Sequence, residues 1–232
     1  MKSYKEFVKS NIYLMRYLKR FNESIESYSD IKSICEKYRI TNYTINSDGS
    51  IDVDGDVDLS EKGITKLPLK FRNVSGNFNC GNNQLTTLKG CPKTVGGDFY
   101  CGNNQLTTLK GCPKTVGGDF YCSYNKLTTL EGSPQSLGGD FYCSYNKLTT
   151  LEGSPQTVGG FDCSGNELTT LEGSPQTVGG YFDCSDNELT TLEGGPQSVG
   201  RHFYCSNNKL TTLEGGPKTI GGNFDCSYNQ LT

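Results

Sequence analysis

Alanine and tryptophan are absent from these 232 residues, and there are only two Met and one His. The lack of alanine argues against long helical repeats, whose helices need a small residue where they pack closely. No apolar run reaches 18 residues, so no segment reads as a membrane-spanning helix. The first residues, MKSYKEFVKSNIYLMRYLKR, thread Lys and Arg through their apolar positions. A secretory leader separates the two, so none is expected. There is no CxxC pair, and one His cannot complete a Cys/His set, which leaves no zinc signature. The apolar share is 33%, thin for a globular core, and the net charge is -3. A soluble protein held in a reducing cytoplasm is the expectation.

Eleven Cys would suggest disulfides in a small secreted chain, but their spacing points elsewhere. Eight fall at Cys80, Cys101, Cys122, Cys143, Cys163, Cys184, Cys205 and Cys226, at steps of 21 residues with a single step of 20. Each sits in a phrase such as DFYCSYNKLTTLEG. Free Cys behaves as a small buried hydrophobe, so the eight read as one row of core thiols. Cys91 and Cys112, equivalent in consecutive units, read as unpaired thiols as well.

Counting from the repeat Cys as zero, Phe lies at minus 2, Asn at plus 3, Leu at plus 5 and plus 8, and Pro at plus 12. An aliphatic residue follows at plus 15. Phe-x-Cys alternates as a short strand does, with both residues facing inward. An Asn held among inward apolar residues needs its amide satisfied, so a ladder of Asn side chains bonded to neighbouring backbone is expected. The set F-x-C-x-x-N-x-L-x-x-L matches the leucine-rich repeat pattern. Val53–Leu59 aligns as a divergent first unit, with Ile64, Leu67 and Val74 in core places. The fold class is therefore an α/β repeat, a leucine-rich repeat solenoid. It has a parallel β-sheet of about nine strands and a non-helical convex side, because TTLEGSPQT is too short and too rich in Gly and Pro for a helix. The Gly-Gly before each strand is expected to form a bulge. The unit with Val158-Gly159-Gly160-Phe161 is one residue short, which predicts a local change in how the strand is approached, with the core intact.

Residues 1–40 form a separate unit, expected as an N-terminal helical cap, and 41–232 form the solenoid. Tyr4, Phe7, Val8, Ile12, Met15 and Leu18 recur near helical spacing, and a second helix carries Ile31, Ile34, Cys35 and Tyr38 with Ser29 as N-cap. A turn is expected at Asp48-Gly49. The first 40 residues hold nine basic and five acidic side chains. That basic face is the basis of an alternative function in nucleic-acid binding, which the acidic remainder disfavours. The sequence stops inside a repeat at CSYNQLT, so an uncapped edge available for self-association is a further expectation.

VSGNFNCGNNQLTTLKGCPKTVGGDFYC and the lead-in YTINSDGSIDVDGDVDLSEKGITKLPLKF resemble the short leucine-rich repeat proteins of tailed bacteriophages. The resemblance covers residues 43–232. The spacing is also close to that of bacterial effector repeats of the type ending in a ubiquitin-ligase domain, but these residues match no such domain and that activity is not carried over. The resemblance implies a viral protein in the cytoplasm of an infected bacterium, acting on a host protein such as a defence component. It implies no cofactor and no catalytic motif.

In a leucine-rich repeat the residues alternating with Phe and Cys face out on the concave sheet. At minus 1 these include Tyr100, Tyr121, Tyr142, Asp162, Asp183 and Tyr204. At minus 3 they include Asp98, Asp119, Asp140, Tyr181 and His202. Tyr124 and Tyr145 stand at plus 2, and Arg201 replaces a Gly. This Tyr stripe flanked by carboxylates is the expected partner-binding face, since exposed Tyr gives large contacts at low entropy cost. The Asp98, Asp119 and Asp140 carboxylates are expected to be solvated. DGSIDVDGDVD fails as a calcium loop: counted from Asp52, its sixth position is Val57 where an EF-hand needs Gly. An enzyme using His202 as base would need a nucleophile within hydrogen-bond reach. No metal site, cofactor or catalytic residue is assigned.

Overall fold

The computed structural model describes residues 27–232. The expected helix over Tyr4–Leu18 and most of the basic face lie outside them. Residues 27–37 are helical, so Ser29 stands inside the helix and is not its N-cap. Ile31 and Cys35 are buried, and Ile34 and Tyr38 pack against them. The helix ends where Arg39 takes a left-handed φ of 56° and Ile40 N–H donates to the Cys35 carbonyl at 2.8 Å. That places Ile40 in the core as the hydrophobic lock of the C-terminal turn.

A hairpin follows. Tyr43–Ile45 pairs antiparallel with Ile51–Val53 around the expected Asp48-Gly49 turn. Asp48 accepts from Ser50 N–H at 3.1 Å, and Gly49 takes a φ of 74°.

The repeat then builds two parallel ladders. The main sheet has nine two-residue strands in strict sequence order, from Val57–Asp58 to Phe224–Asp225. Identical residues sit side by side, Phe78 against Phe99 and Phe99 against Phe120. The divergent first unit joins in the expected register, Val57 beside Phe78. The chain is thus a leucine-rich-repeat solenoid with a nine-stranded parallel sheet.

The side expected to be non-helical is so, and it carries sheet of its own. Ile51–Val53, Phe71–Val74, Thr94–Val95, Thr115–Val116 and Ser136–Leu137 form one parallel ladder, and Thr157–Val158, Thr177–Val178, Ser198–Val199 and Thr219–Ile220 form another. The break falls at the short unit. Three residues separate the two strands of the unit at Cys143, and only Gly159 and Gly160 do so in the next. The missing residue disrupts this second ladder while Phe141 still pairs with Phe161 in the main sheet.

The Gly-Gly steps are corners between the two sheets and not bulges: the main sheet keeps its register through every unit, and neither Gly takes a positive φ. Their reason is crowding. A β-carbon on Gly96 or Gly117 would overlap the carbonyl oxygen of the preceding unit. A different constraint holds at plus 10, where Gly90, Gly111, Gly132 and their equivalents take φ between 79° and 101°, a region that L side chains rarely adopt.

Between the sheets lies a spine of phenylalanines. Phe78 through Phe203 are fully buried, stacked with centroids 5.2–5.7 Å apart. Cys80 through Cys205 and the Leu at plus 5 share this core. In the last unit Phe224 is 41% exposed. All eleven thiols are free, nine of them buried and Cys112 and Cys226 partly so.

The Asn at plus 3 ties the units together. Asn125 Nδ2 donates to the Cys122 carbonyl of its own unit and to the Cys101 carbonyl of the preceding one, both at 3.0 Å. Its Oδ1 accepts from Leu106 N–H at 3.0 Å. The same three bonds recur at Asn104, Asn187 and Asn208.

Replacing Asn125 by Ala strands the buried Leu106 N–H and takes one of two amide donors from each of the Cys101 and Cys122 carbonyls, which keep Asn104 and Asn146. The expected cost is on the order of 3 kcal/mol, read from urea unfolding against Thr128→Ala, whose exposed side chain should cost about 0.5 kcal/mol or less. Burial also pushes up the thiols of Cys101, Cys122, Cys143, Cys163, Cys184 and Cys205, the last from 9.0 to about 12. The folded chain then keeps protons that the unfolded chain releases above about pH 9, so this contribution to stability is full below that pH and falls through the window from 9 to about 12. The urea midpoint should therefore drop between pH 8 and 10.5, and iodoacetamide at pH 8 should modify Cys226 first in the native state, with Cys112 slow because burial raises its thiol to about 12, and all eleven thiols in denaturant.

Candidate functional site

The outward face of the nine-stranded sheet brings together the residues singled out from the sequence and sorts them into rows. The minus 1 row is half-buried. Tyr100, Tyr121 and Tyr142 stack face to face at 4.5 Å, with interplanar angles of 7° and 6°. Identical residues one unit apart must stack in this way on a parallel sheet. Their hydroxyls are not free. Tyr100 OH donates to Asp98 Oδ2 at 2.8 Å, Tyr121 OH to Asp119 Oδ2 at 2.9 Å, and Tyr142 OH to Asp140 Oδ2 at 3.3 Å. Burial, and then the bond to Asp98, pushes the Tyr100 hydroxyl up to about 12. Tyr121 is raised for the same reasons in the same order.

The carboxylates at minus 3 are not simply solvated, which corrects the expectation from sequence. Asp98 Oδ1 accepts the backbone N–H of Asp119 at 2.8 Å, and Asp119 Oδ1 accepts that of Asp140 at 2.7 Å. One oxygen therefore serves the next unit's backbone and the other a Tyr of its own unit. Asn77 does the same for Asp98 N–H at 2.7 Å, and His202 Nδ1 accepts from Asn223 N–H at 3.0 Å. His202 thus fills a structural place, with its ring 5.8 Å from that of Tyr204.

The same row explains Arg201. In the units that follow Asp56, Asn77, Asp98, Asp119, Asp140 and His202, a β-carbon on the Gly at minus 4 would collide with that residue's side chain. The unit before Arg201 carries Tyr181 at minus 3, and its ring lies instead over Gly160 in the short unit. The space is open and a side chain is admitted. Tyr181 tilts at 50° to Tyr142, centroids 6.5 Å apart, and burial raises its hydroxyl.

Asp162 and Asp183 close local turns. Asp162 Oδ1 accepts Ser164 N–H at 3.0 Å and Ser164 Oγ–H at 2.7 Å, and Asp183 Oδ1 accepts Ser185 N–H at 2.9 Å. Burial pushes the Asp183 carboxyl up against the pull of these Ser185 bonds, and the charge of Asp162 adds to the rise. In the lead-in, each carboxylate of the rejected calcium loop likewise has an internal partner: Asp52 binds Arg72 and Asn73, Asp54 accepts from Ser75, Asp56 from Asn77 N–H, and Asp58 from Ser60. Among the described residues no group of three or more His, Cys, Asp or Glu is placed to hold a metal ion.

The plus 2 row behaves differently, and the sequence reading missed why. Asn82, Asn103, Tyr124, Tyr145, Asp186, Asn207 and Tyr228 all take a left-handed φ of 52–57°, and Gly165 one of 63°. Asn, Asp and Gly are the residues that enter this region at low cost, and their recurrence here was the available signal. Tyr is not one of them. Tyr124 and Tyr145 are nonetheless there, 57% and 50% exposed, stacked at 4.6 Å and without a hydroxyl bond among the described residues. Between this row and minus 1 runs a hollow of about 220 Å³, walled by Tyr100, Tyr121 and Tyr124 and floored by Gly81, Gly102 and Ser123.

If the carboxylates are scaffold, Asn should replace Asp119 at little cost, since Asn77 already accepts the next unit's N–H and the new amide can donate to the Tyr121 oxygen where Asp119 accepts from it. Asp119→Asn is expected within about 0.5 kcal/mol of the parent, while Asp119→Ala should lose about 1–2 kcal/mol by stranding Asp140 N–H, both measured by urea unfolding.

No protein-family model and no curated protein matches the chain. Among solved structures it is similar to YopM from Yersinia enterocolitica WA-314, at 21% identity and a TM-score of 0.46. The match covers 76% of this chain and 47% of that one, so the chain spans about half the length of YopM. The likeness is one of repeat architecture alone.

Proposed function

We propose that this chain is a non-enzymatic protein-binding scaffold, a phage protein that binds a host bacterial protein in the cytoplasm and inhibits or redirects it, with a defence component as the target class. The phage and host assignments rest on the resemblance of the repeat phrases and the lead-in. The binding role rests on one observation above the others: a constant frame presents outward side chains that change from unit to unit, and among them two adjacent tyrosines stack with half or more of their surface exposed. Exposed, rigid aromatic side chains on a small-residue floor are what protein interfaces concentrate. His202 lends no support to an enzyme, because its Nδ1 is engaged by backbone. No helix among the described residues is long and apolar enough to cross a membrane.

The face divides its labour in this reading. Tyr100, Tyr121 and Tyr142 brace the sheet with Asp98, Asp119 and Asp140, while Tyr124 and Tyr145 make contact. Immobilised protein should retain a specific protein from an extract of infected cells. Tyr124→Asn with Tyr145→Asn should weaken that capture by about 2 kcal/mol or more while the fold survives, because Asn stands at this place in Asn82, Asn103 and Asn207. Undiminished capture by the double variant would exclude this face as the contact surface.

A further inference from the structure

The plus 2 row has one gap. Seven of its eight places along the Cys-bearing units carry a side chain, and Gly165 carries none. Its left-handed φ does not require glycine, since Asn, Asp and Tyr hold the same conformation on either side. The consequence is an open ring face. One face of Tyr145 is covered by Tyr124, 4.6 Å away and within 9° of parallel. The other leans over Gly165, where a β-carbon would stand only 2.8–2.9 Å from Tyr145 Cδ1 and Cε1, so it is contact with this ring, and not the backbone, that keeps position 165 bare. The next side chain in the row is Asp186, two units on, which at about 4.8 Å per unit leaves roughly 9–10 Å. A planar group with about 3.5 Å of clearance on each side fits that interval.

The chemistry around the gap has one sign. Asp162, at minus 1 of the same unit, uses Oδ1 on Ser164 and leaves Oδ2 without a hydrogen bond among the described residues. Positions minus 1 and plus 2 of a unit share one hollow, as Tyr121 and Tyr124 show two units earlier. Asp186 closes the far side and spends Oδ1 on the Asn207 amide. Neither carboxylate has an ion-pair partner among the described residues, where the pairs are Lys70–Asp48, Arg72–Asp52, Lys110–Glu131 and Lys209–Glu188. Lys147, two residues beyond Tyr145, is the nearest cation in the sequence and pairs with none of them.

We infer that the gap over Gly165 receives an arginine side chain of the partner protein, its guanidinium stacked on the open face of Tyr145 and bonded to Asp162 and Asp186. The inference rests on the sheet face being a protein-binding surface and names the partner group it takes. Arginine suits the place because its guanidinium is planar, stacks on aromatic faces and donates to two carboxylates at once. Lysine offers the charge without the plane, and a neutral aromatic ring would leave both carboxylates desolvated beside it. Asn or Tyr at position 165 would close the gap.

Blocked arginine (acetyl-arginine N-methylamide) titrated against the whole chain and followed by NMR tests this, with blocked lysine and blocked citrulline as controls. Saturable shifts are expected at the Gly165 and Asp186 amides and on the Tyr145 ring. Lysine should bind roughly tenfold more weakly, and neutral citrulline more weakly still. Gly165→Asn, whose side chain must displace the Tyr145 ring and takes up the space beside it, should weaken arginine binding roughly tenfold, as should Tyr145→Asn, while Tyr121→Phe should not. No saturable shift, equal response to lysine, or full binding by both Asn variants would overturn the inference. The titration needs no natural partner. Silence here with Tyr145-dependent capture from extract rejects the arginine site and keeps the scaffold, whereas saturable arginine binding with no captured protein keeps the site and rejects the scaffold.

Discussion

The asparagine at plus 3 holds the rest of the molecule in place. A two-residue strand makes too few backbone bonds to fix its own position, and two adjacent two-residue ladders are no better. Each Asn amide compensates by bonding at once to the carbonyl of its own Cys, the carbonyl of the preceding Cys and the N–H of a preceding Leu. These are polar groups at the corner where the chain leaves the sheet, buried and out of reach of water. Because the tie runs from each unit to the one before it, it fixes the axial repeat as well as the turn. Fixed spacing in turn lets Phe stack on Phe at 5.2–5.7 Å over seven units without a slip.

Such close stacking makes the identity of one residue depend on its counterpart a unit earlier. Glycine stands at minus 4 where the preceding minus 3 side chain is Asp, Asn or His, and Arg201 stands there where it is Tyr181. Tyr181 can turn aside only because the short unit has Gly160 at minus 3 beneath it. One missing residue near Val158 is thus felt in three successive units: it breaks the second ladder, makes room for a tilted Tyr, and frees a backbone position for Arg. Repeat drift in this chain is constrained along the stack.

The period, the inward Phe and Cys, the Asn ladder and the nine strands could be read from sequence because each is a property of one unit repeated. Val57 aligned with Phe78 for the same reason, despite its different neighbours. What escaped were properties that arise only between units. The second ladder was hidden because Thr-Val or Ser-Leu alone carries no strand signal. The Gly-Gly corner looked like a bulge because its cause, a carbonyl one unit away, is not local. Asp98, Asp119 and Asp140 looked like solvated charges because their partners are a Tyr two residues on and an N–H one unit on. The left-handed plus 2 turn was visible in its Asn, Gly and Asp content, and Tyr124 and Tyr145 concealed it.

Those two tyrosines matter because they break the rule that their own row obeys. A left-handed backbone disfavours a bulky side chain, at a cost on the order of 1 kcal/mol against Gly. Burial does not offset it, since both rings are half exposed, and mutual stacking recovers only part of it. The minus 1 tyrosines show the contrast: half-buried, bonded to carboxylates and on ordinary strand backbone, they stabilise the sheet they sit on. The position carries Asn, Asp or Gly at five of its eight places and Tyr at Tyr124, Tyr145 and Tyr228, so the stack does not require the ring, and the proposed binding role is what gives it one. The face is therefore two surfaces interleaved. One is fixed by the needs of the stack, and the other is free to vary because the Asn ties already hold the chain in register beneath it.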